Sequence, residues 1–318
     1  MNDRYQEMYQ AASMHYVQGE TMEAIARAMG LSRSSVSRLL KEARDTGLVR
    51  ITIADRVGSQ SPLATALAEA FGVKVHMVAI RDNANDSQRF DQVAKLAGRL
   101  FTDAVDDHQL IGVAWGVTIA HISHHLGHRP LVASSVVQIN GGANSRTSGF
   151  PYIGETLQTI GHAFDSNVVL FPVPAFFDYA ATREAMWRER SVQNVVRLRE
   201  KLDIALFGVG SLHGRVASHV YSAGYLARTD LDKLDADGVV GDICTVLLRE
   251  DGSYADIPYN RRATGMTPPE LAVVPRRFCV VGDPSRAAAA LGALRAGVAT
   301  DLVIDEGTAR AIADRAQL

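Results

Sequence analysis

Residues 21–53 read TMEAIARAMGLSRSSVSRLLKEARDTGLVRITI, and their pattern decides how the chain begins. Thr21 can cap a helix in which Met22, Ile25, Ala26 and Met29 recur at i, i+3, i+4 and i+7, one apolar stripe. Gly30 supplies a turn, because a residue without Cβ tolerates positive φ. Ser32 can cap a second helix that turns Val36, Leu39, Leu40 and Ala43 inward. Its other face carries Arg33, Ser34, Ser37, Arg38, Lys41 and Arg44. Small hydroxyls let a helix approach base edges closely, and the cations reach bases or phosphates. After Gly47, residues 48–54 read as a wing strand. The expected partner is double-stranded DNA.

Charge by itself would fit an ordinary helical hairpin with a solvated basic face. Residues 1–56 hold eight Lys and Arg against seven Asp and Glu, whereas residues 27–50 hold six cations and two acids. The order of cap, glycine turn, serine-rich capped helix and wing is what favours DNA binding. The residues expected at the DNA are Thr21, Ser32, Arg33, Ser34, Ser35, Ser37, Arg38 and Lys41. A preceding amphipathic helix with Tyr5, Met8, Tyr9, Ala12 and Tyr16, ending near Gly19, would complete a three-helix core.

The remaining sequence is of another kind. With 318 residues, 47% apolar and 21% charged, the chain can bury a large core, and a net charge of −2 excludes a general polyanion binder. Cys244 and Cys279 sit in apolar runs, as buried thiols do. The first ten residues lack the plan of a signal peptide, and no run approaches 18 apolar residues, so a cytoplasmic protein without membrane contact is expected. The polar segment 56–62 separates a DNA-binding domain at 1–55 from a second domain at 63–318. In that domain strands at 73–80, 109–114, 134–139, 168–171, 204–207, 243–249, 277–281 and 302–304 alternate with helices. The fold class expected is α/β: a small, all-α winged helix-turn-helix domain, then a larger, mostly parallel, doubly wound α/β domain.

In open α/β sheets ligands sit beyond the carboxyl ends of strands. Four glycine-bearing loops fall there: Trp115-Gly116-Val117-Thr118, Asn140-Gly141-Gly142, Gly208-Val209-Gly210-Ser211 and Gly282-Asp283-Pro284-Ser285-Arg286. Such loops let backbone N–H groups close around an anion. Asp242 offers a carboxylate to sugar hydroxyls, and Arg286 a cation to phosphate. Tight turns alone also call for glycine, so it is the repetition at several strand ends that points to a small ligand. Sharper motifs fail. No GxxxxGK[ST] loop occurs, and Gly208-x-Gly210-x-x-x-Gly214 carries its third glycine one place late for a dinucleotide fingerprint. His121, His124, His125 and His128 share a helical spacing but lack a neighbouring carboxylate for a metal set. The five lysines all lie outside the loops, against a Schiff-base mechanism. No catalytic residue, metal or cofactor is expected.

The segments GVAWGVT, VVQINGG, LFGVG, GVVGDI and FCVVGDPSRAAAALGALRAGVATDLVIDEGTA, in this order behind the helix-turn-helix, resemble the SorC/DeoR-type sugar-binding transcriptional regulators over nearly the whole chain. The resemblance implies an effector domain like a sugar-phosphate isomerase or CoA-transferase that acts as a sensor, and a homotetramer. It implies that a sugar, polyol or phosphorylated sugar sets DNA affinity. It places a phosphate-binding turn on Gly116 and Thr118, a sugar-facing loop on Gln138, Asn140, Gly141 and Gly142, a hydroxyl-binding carboxylate on Asp242 and an anion contact on Arg286. Gly208, Gly210 and Gly282 complete the expected site. The chain departs from the family where Gly-Gly-x-x-Lys reads Gly282-Asp283-Pro284-Ser285-Arg286, at Val117, and at Asn140, where some members use a cation. Asp283 would repel a phosphate beside it. The alternatives are a sugar-phosphate isomerase or deaminase-like enzyme tethered to DNA, which needs an acid/base pair in the pocket, and a sigma-factor-like protein with a protein-binding apolar patch.

Overall fold

The structure is a computed structural model and describes residues 2–49, 61–78, 80, 85–144, 146, 148, 150–215 and 218–318. The wing beyond Val49 and the linker up to residue 60 lie outside these residues. Two compact units result, Met1–Ser59 and Gln60–Leu318.

In the first unit α1 (Asn2–Ala12) runs into a wider π-helical turn, Ser13–Val17. Helices α2 (Met22–Met29) and α3 (Arg33–Asp45) follow. Thr21 caps α2 by accepting the Ala24 N–H at 3.2 Å, and Ser32 caps α3 by accepting the Ser35 N–H at 3.1 Å. Gly30, at φ 67°, makes the left-handed turn between them. The core is Met8, Ala11, Ala12, Ile25, Ala26, Val36, Leu39, Leu40 and Ala43. Tyr5 and Tyr9 do not join it, being half exposed on the outer side of α1. Tyrosine spaced like a core residue also suits a solvated face, so its periodicity misleads about which side of α1 is buried.

The second unit opens with α4 (Pro62–Phe71), then β1 (Lys74–Val78), α5 (Asp86–Ala104), β2 (Leu110–Val113) and α6 (Val117–Ser123). Next come β3 (Ser135–Gln138), α7 (Glu155–Phe164), β4 (Asn167–Val169), α8 (Ala180–Met186), α9 (Arg190–Arg199) and β5 (Ile204–Ser211). They are followed by α10 (His219–Ser222), α11 (Arg228–Ala236), β6 (Val239–Ile243), β7 (Val246–Arg249), α12 (Pro268–Ala272), β8 (Arg276–Val281), α13 (Ala287–Arg295), β9 (Asp301–Asp305) and α14 (Glu306–Ala316). Seven strands pair in parallel in the order β1-β9-β8-β5-β2-β3-β4. Apolar side chains leave both faces: Leu206, Phe278 and Val303 pack with α5, α6 and α7, and Phe207, Cys279 and Leu302 with α4, α9, α13 and α14. Both cysteines are free and buried. From β2 the chain builds outward to β3 and β4; from β5 it builds the other way. Between β2 and β5 the sheet therefore has its switch point, where a doubly wound fold leaves a crevice.

Three expectations are corrected here. The strand expected at 243–249 is a hairpin, because Cys244 and Thr245 both take positive φ (48° and 68°) and fold β7 antiparallel onto β6. The stretch Gly208–Ser211 is not a loop: β5 continues through it and pairs antiparallel with β6. The four histidines do not share a helix face, since α6 ends at Ser123 and His125 pairs with Asp91 of α5 at 2.9 Å.

Candidate functional site

On α3 the polar face is exposed, and its small residues hold one another. Ser32 Oγ lies 2.8 Å from Ser34 Oγ and 2.9 Å from Ser35 Oγ. Arg33 pairs with Glu23 of α2 at 2.9 Å, Lys41 with Asp45 at 3.4 Å, and Arg44 donates to the Tyr16 hydroxyl at 2.7 Å. Arg38 is exposed and makes no hydrogen bond or ion pair among the described residues. Ser37 projects from the same exposed face.

The second site is a partly open cavity at the switch point, lined among others by Gly116, Thr118, Asn140, Gly208, Gly210, Asp242 and Arg286. These residues lie up to 170 positions apart (286 minus 116) and meet because β2, β3, β5 and β8 all point their carboxyl ends at one place. Asp242 arrives differently. It stands on β6, opposite Gly210 of the prolonged β5, and a Cβ on Gly210 would overlap Asp242 Oδ1. The glycine thus leaves room for a carboxylate that is 4% exposed. Asp242 Oδ2 accepts the Thr245 N–H of the hairpin turn at 3.0 Å, while Oδ1 has no hydrogen-bond partner among the described residues. Burial pushes this carboxyl up to about 6, opposed by the neighbouring Tyr221 phenol, the Thr245 N–H and the Arg286 charge.

Arg286 sits in the 3₁₀ turn before α13 and donates from Nη1 to Val209 O at 2.8 Å and to Ser218 Oγ at 3.0 Å. Ser218 Oγ also accepts the Ser211 N–H at 3.0 Å. Asp283 is not a wall of the cavity. It caps that turn by accepting from Ser285 N and Oγ at 2.9 and 2.7 Å, and its Oδ2 lies 3.6 Å from Arg286 Nε.

Four expected residues stand outside this cavity. Gln138 is buried and ties the β3 end together, donating to Asn140 O at 2.8 Å and accepting the Phe171 N–H at 2.9 Å. Gly141 accepts the Trp115 indole N–H at 2.8 Å and donates to Thr264 Oγ1 at 3.1 Å. Gly142 accepts the Tyr225 hydroxyl at 2.8 Å, and Gly282 packs on Val93. These residues hold the loops in place. Conversely, Trp115, Ser218, His219 and Thr245 line the cavity without having been expected there. Trp115 lies in a loop that was singled out, but Ser218 and His219 follow no strand-to-helix signature. Asp242 is the only carboxylate among the described lining residues, and among the described residues no three His, Cys, Asp or Glu side chains gather as a metal group.

A helix-turn-helix joined to a doubly wound α/β domain with a polar cavity at its switch point has the build of a ligand-responsive regulator. The chain belongs to the Sugar-bind family, described as "Putative sugar-binding domain", which matches residues 55–313, and its relatives are SorC/DeoR-family transcriptional regulators. The deoxyribonucleoside regulator of Bacillus subtilis (strain 168) is 27% identical over 311 residues, covering 98% of each chain. The crystal structure of a domain of a possible sugar-binding transcriptional regulator from Arthrobacter aurescens TC1 is 43% identical, with a TM-score of 0.75 over 81% of this chain and 99% of that one. The full-length sorbitol operon regulator from Klebsiella pneumoniae is similar in fold, at 22% identity and a TM-score of 0.78, covering 98% and 99% of the two chains.

Proposed function

We propose that the chain binds operator DNA through α3 and that a sugar, polyol or phosphorylated sugar in the switch-point cavity sets its operator affinity. The observation that carries this reading is the gathering of Thr118, Asn140, Asp242 and Arg286 around one cavity in a chain of this family. Residues Thr21, Ser32–Ser35, Ser37, Arg38 and Lys41 contact the operator in this reading, and the cavity binds without catalysis. Isomerisation or deamination needs a positioned acid/base pair, for which the cavity offers Asp242 and His219; the non-catalytic reading is supported by the relatives, which are transcriptional regulators.

One helix-turn-helix with few net charges makes too few contacts for specific affinity near 10⁻⁸ M. The working unit is therefore a homo-oligomer, a tetramer of two DNA-binding dimers, acting in the cytoplasm. Among the described residues no helix is long and apolar enough to cross a membrane.

The test is fluorescence anisotropy of the chain with the DNA upstream of its own gene, with and without sugars and polyols. Deleting residues 1–59 should abolish binding. Retained affinity after that deletion would refute the DNA-binding assignment, and a monomer by light scattering on DNA would refute the assembly.

A further inference from the structure

Among the described residues, Asn140 Oδ1, Asp242 Oδ1 and the Tyr221 hydroxyl are buried without a hydrogen-bond partner. Asn140 and Asp242 line the cavity and are 1% and 4% exposed. Native proteins rarely leave buried polar atoms unsatisfied, and each exception calls for a reason. The Tyr221 hydroxyl, which faces Asp242, can donate as well as accept, but the two oxygens that line the cavity cannot. A carboxylate oxygen and an amide oxygen can only accept, so what is missing is donors.

The cavity's cation is in the opposite condition. Arg286 already donates to Val209 O and Ser218 Oγ, and lies beside Asp283. No lysine lines the cavity among the described residues. A phosphate dianion brings only acceptors and negative charge, so it cannot satisfy the two buried oxygens, one of which belongs to a carboxylate. A polyol brings hydroxyls, each of which donates.

We infer that the cavity is built for a neutral polyhydroxy compound, an unphosphorylated sugar or polyol, whose hydroxyls donate to Asp242 Oδ1 and Asn140 Oδ1. Arg286 is then a positioning residue that straps β5 to Ser218. The inference rests on the cavity being the effector site and narrows its ligand class. It also fixes the pH response. Asp242 is faced by Tyr221 from α10, by Arg286 from the turn before α13, and by Cys244 and the Thr245 N–H from the hairpin turn; His219 lines the same cavity. Hydroxyl donors favour the carboxylate, so affinity rises with pH through about 6 and levels off above it. A phosphate would favour the neutral carboxyl and weaken over the same range.

The experiment is calorimetric titration of the full chain between pH 5 and 8. The probes are erythritol, ribitol, sorbitol, ribose, deoxyribose and glucose, their monophosphates, and inorganic phosphate at matched ionic strength. A neutral member should bind, with its monophosphate at least about tenfold weaker and its own affinity falling about fivefold from pH 6 to pH 5. Asp242→Asn should remove the pH dependence and, like Asn140→Leu, weaken binding at least about tenfold, while circular dichroism and melting report folding. Tighter binding of a monophosphate, lost in Arg286→Ala, would overturn the ligand class and leave the effector site standing. Silence from both classes would overturn the effector site itself.

Discussion

The two sites are built in opposite ways. On α3 the residues proposed to contact DNA come from one helix and its cap, and most of them already hold a partner: the serines share hydrogen bonds, Arg33 and Lys41 hold carboxylates, and Arg44 holds Tyr16. In the cavity the residues come from strands and turns far apart in the chain, and Asn140 and Asp242 keep buried acceptors unpaired. Exposed polar groups cost little unpaired, because water replaces the partner. Buried ones cost much, so an unpaired buried group points to a ligand more sharply than an exposed basic face points to DNA.

The contrast predicts a difference in tolerance, largest where the cavity's backbones meet. A Cβ on Gly241 would overlap the Gly210 carbonyl oxygen and lie 2.6 Å from Ala289 Cβ. Backbone on one side and α13 on the other cannot both yield. Gly241→Ala should destabilise the second unit by roughly 3 kcal/mol or more, read as a lower urea midpoint. A near-neutral result would mean that β5 and β6 part easily, and that the cavity is not held rigid.

Asp242→Asn should act in the other direction on the ligand-free protein. The folded carboxyl titrates at about 6 instead of its ordinary 3.8. Between those values the folded state keeps a proton that the unfolded state has released, so stability falls as pH rises through the window and stays lower above it. An amide has no charge to desolvate. The variant should match the parent near pH 4 and exceed it at pH 7.5 by up to roughly 3 kcal/mol, in urea melts at both values. A variant less stable than the parent at pH 7.5 would show that the buried carboxylate is already well paired.

The same contrast explains what could be read beforehand. The caps at Thr21 and Ser32 and the turn at Gly30 are local, and each was legible within a few residues. The parallel strands were legible because burial on both faces makes them apolar throughout. The hairpin at Cys244 and Thr245 was not, because neither residue is a usual bearer of positive φ, and two apolar strands around them merge into one run. Asp242, read alongside the loops beyond the parallel strands, reaches the cavity from an antiparallel strand instead. Gly141 and Gly142 were singled out for ligand contact, but their carbonyls hold Trp115 and Tyr225. Glycine patterns show where the chain is tight. They do not tell whether a ligand or a side chain occupies the space.

On α3 the expected effects are smaller and fall on binding. Arg38 makes no hydrogen bond or ion pair among the described residues, so the proposed contact with DNA would cost it no partner within the unit. Arg38→Ala should weaken operator binding by about 1–3 kcal/mol if the guanidinium is bidentate to guanine, with discrimination lost at that base pair. A loss that is equal for operator and unrelated DNA would assign Arg38 to phosphate instead.

The smallest expected effect tests whether the paired cations of α3 are held back from DNA. Arg33 Nε lies 2.9 Å from Glu23 Oε1, with both side chains more than half exposed. Exposed pairs contribute about 0.2–1 kcal/mol, so Glu23→Gln should leave melting nearly unchanged. It also removes a negative charge beside the start of α3 and releases Arg33. Operator affinity should therefore rise by about two- to fivefold at low salt, and the gain should shrink as salt screens the interaction. If affinity falls instead, Glu23 holds Arg33 in the orientation that DNA requires, and the pair belongs to the interface as a unit.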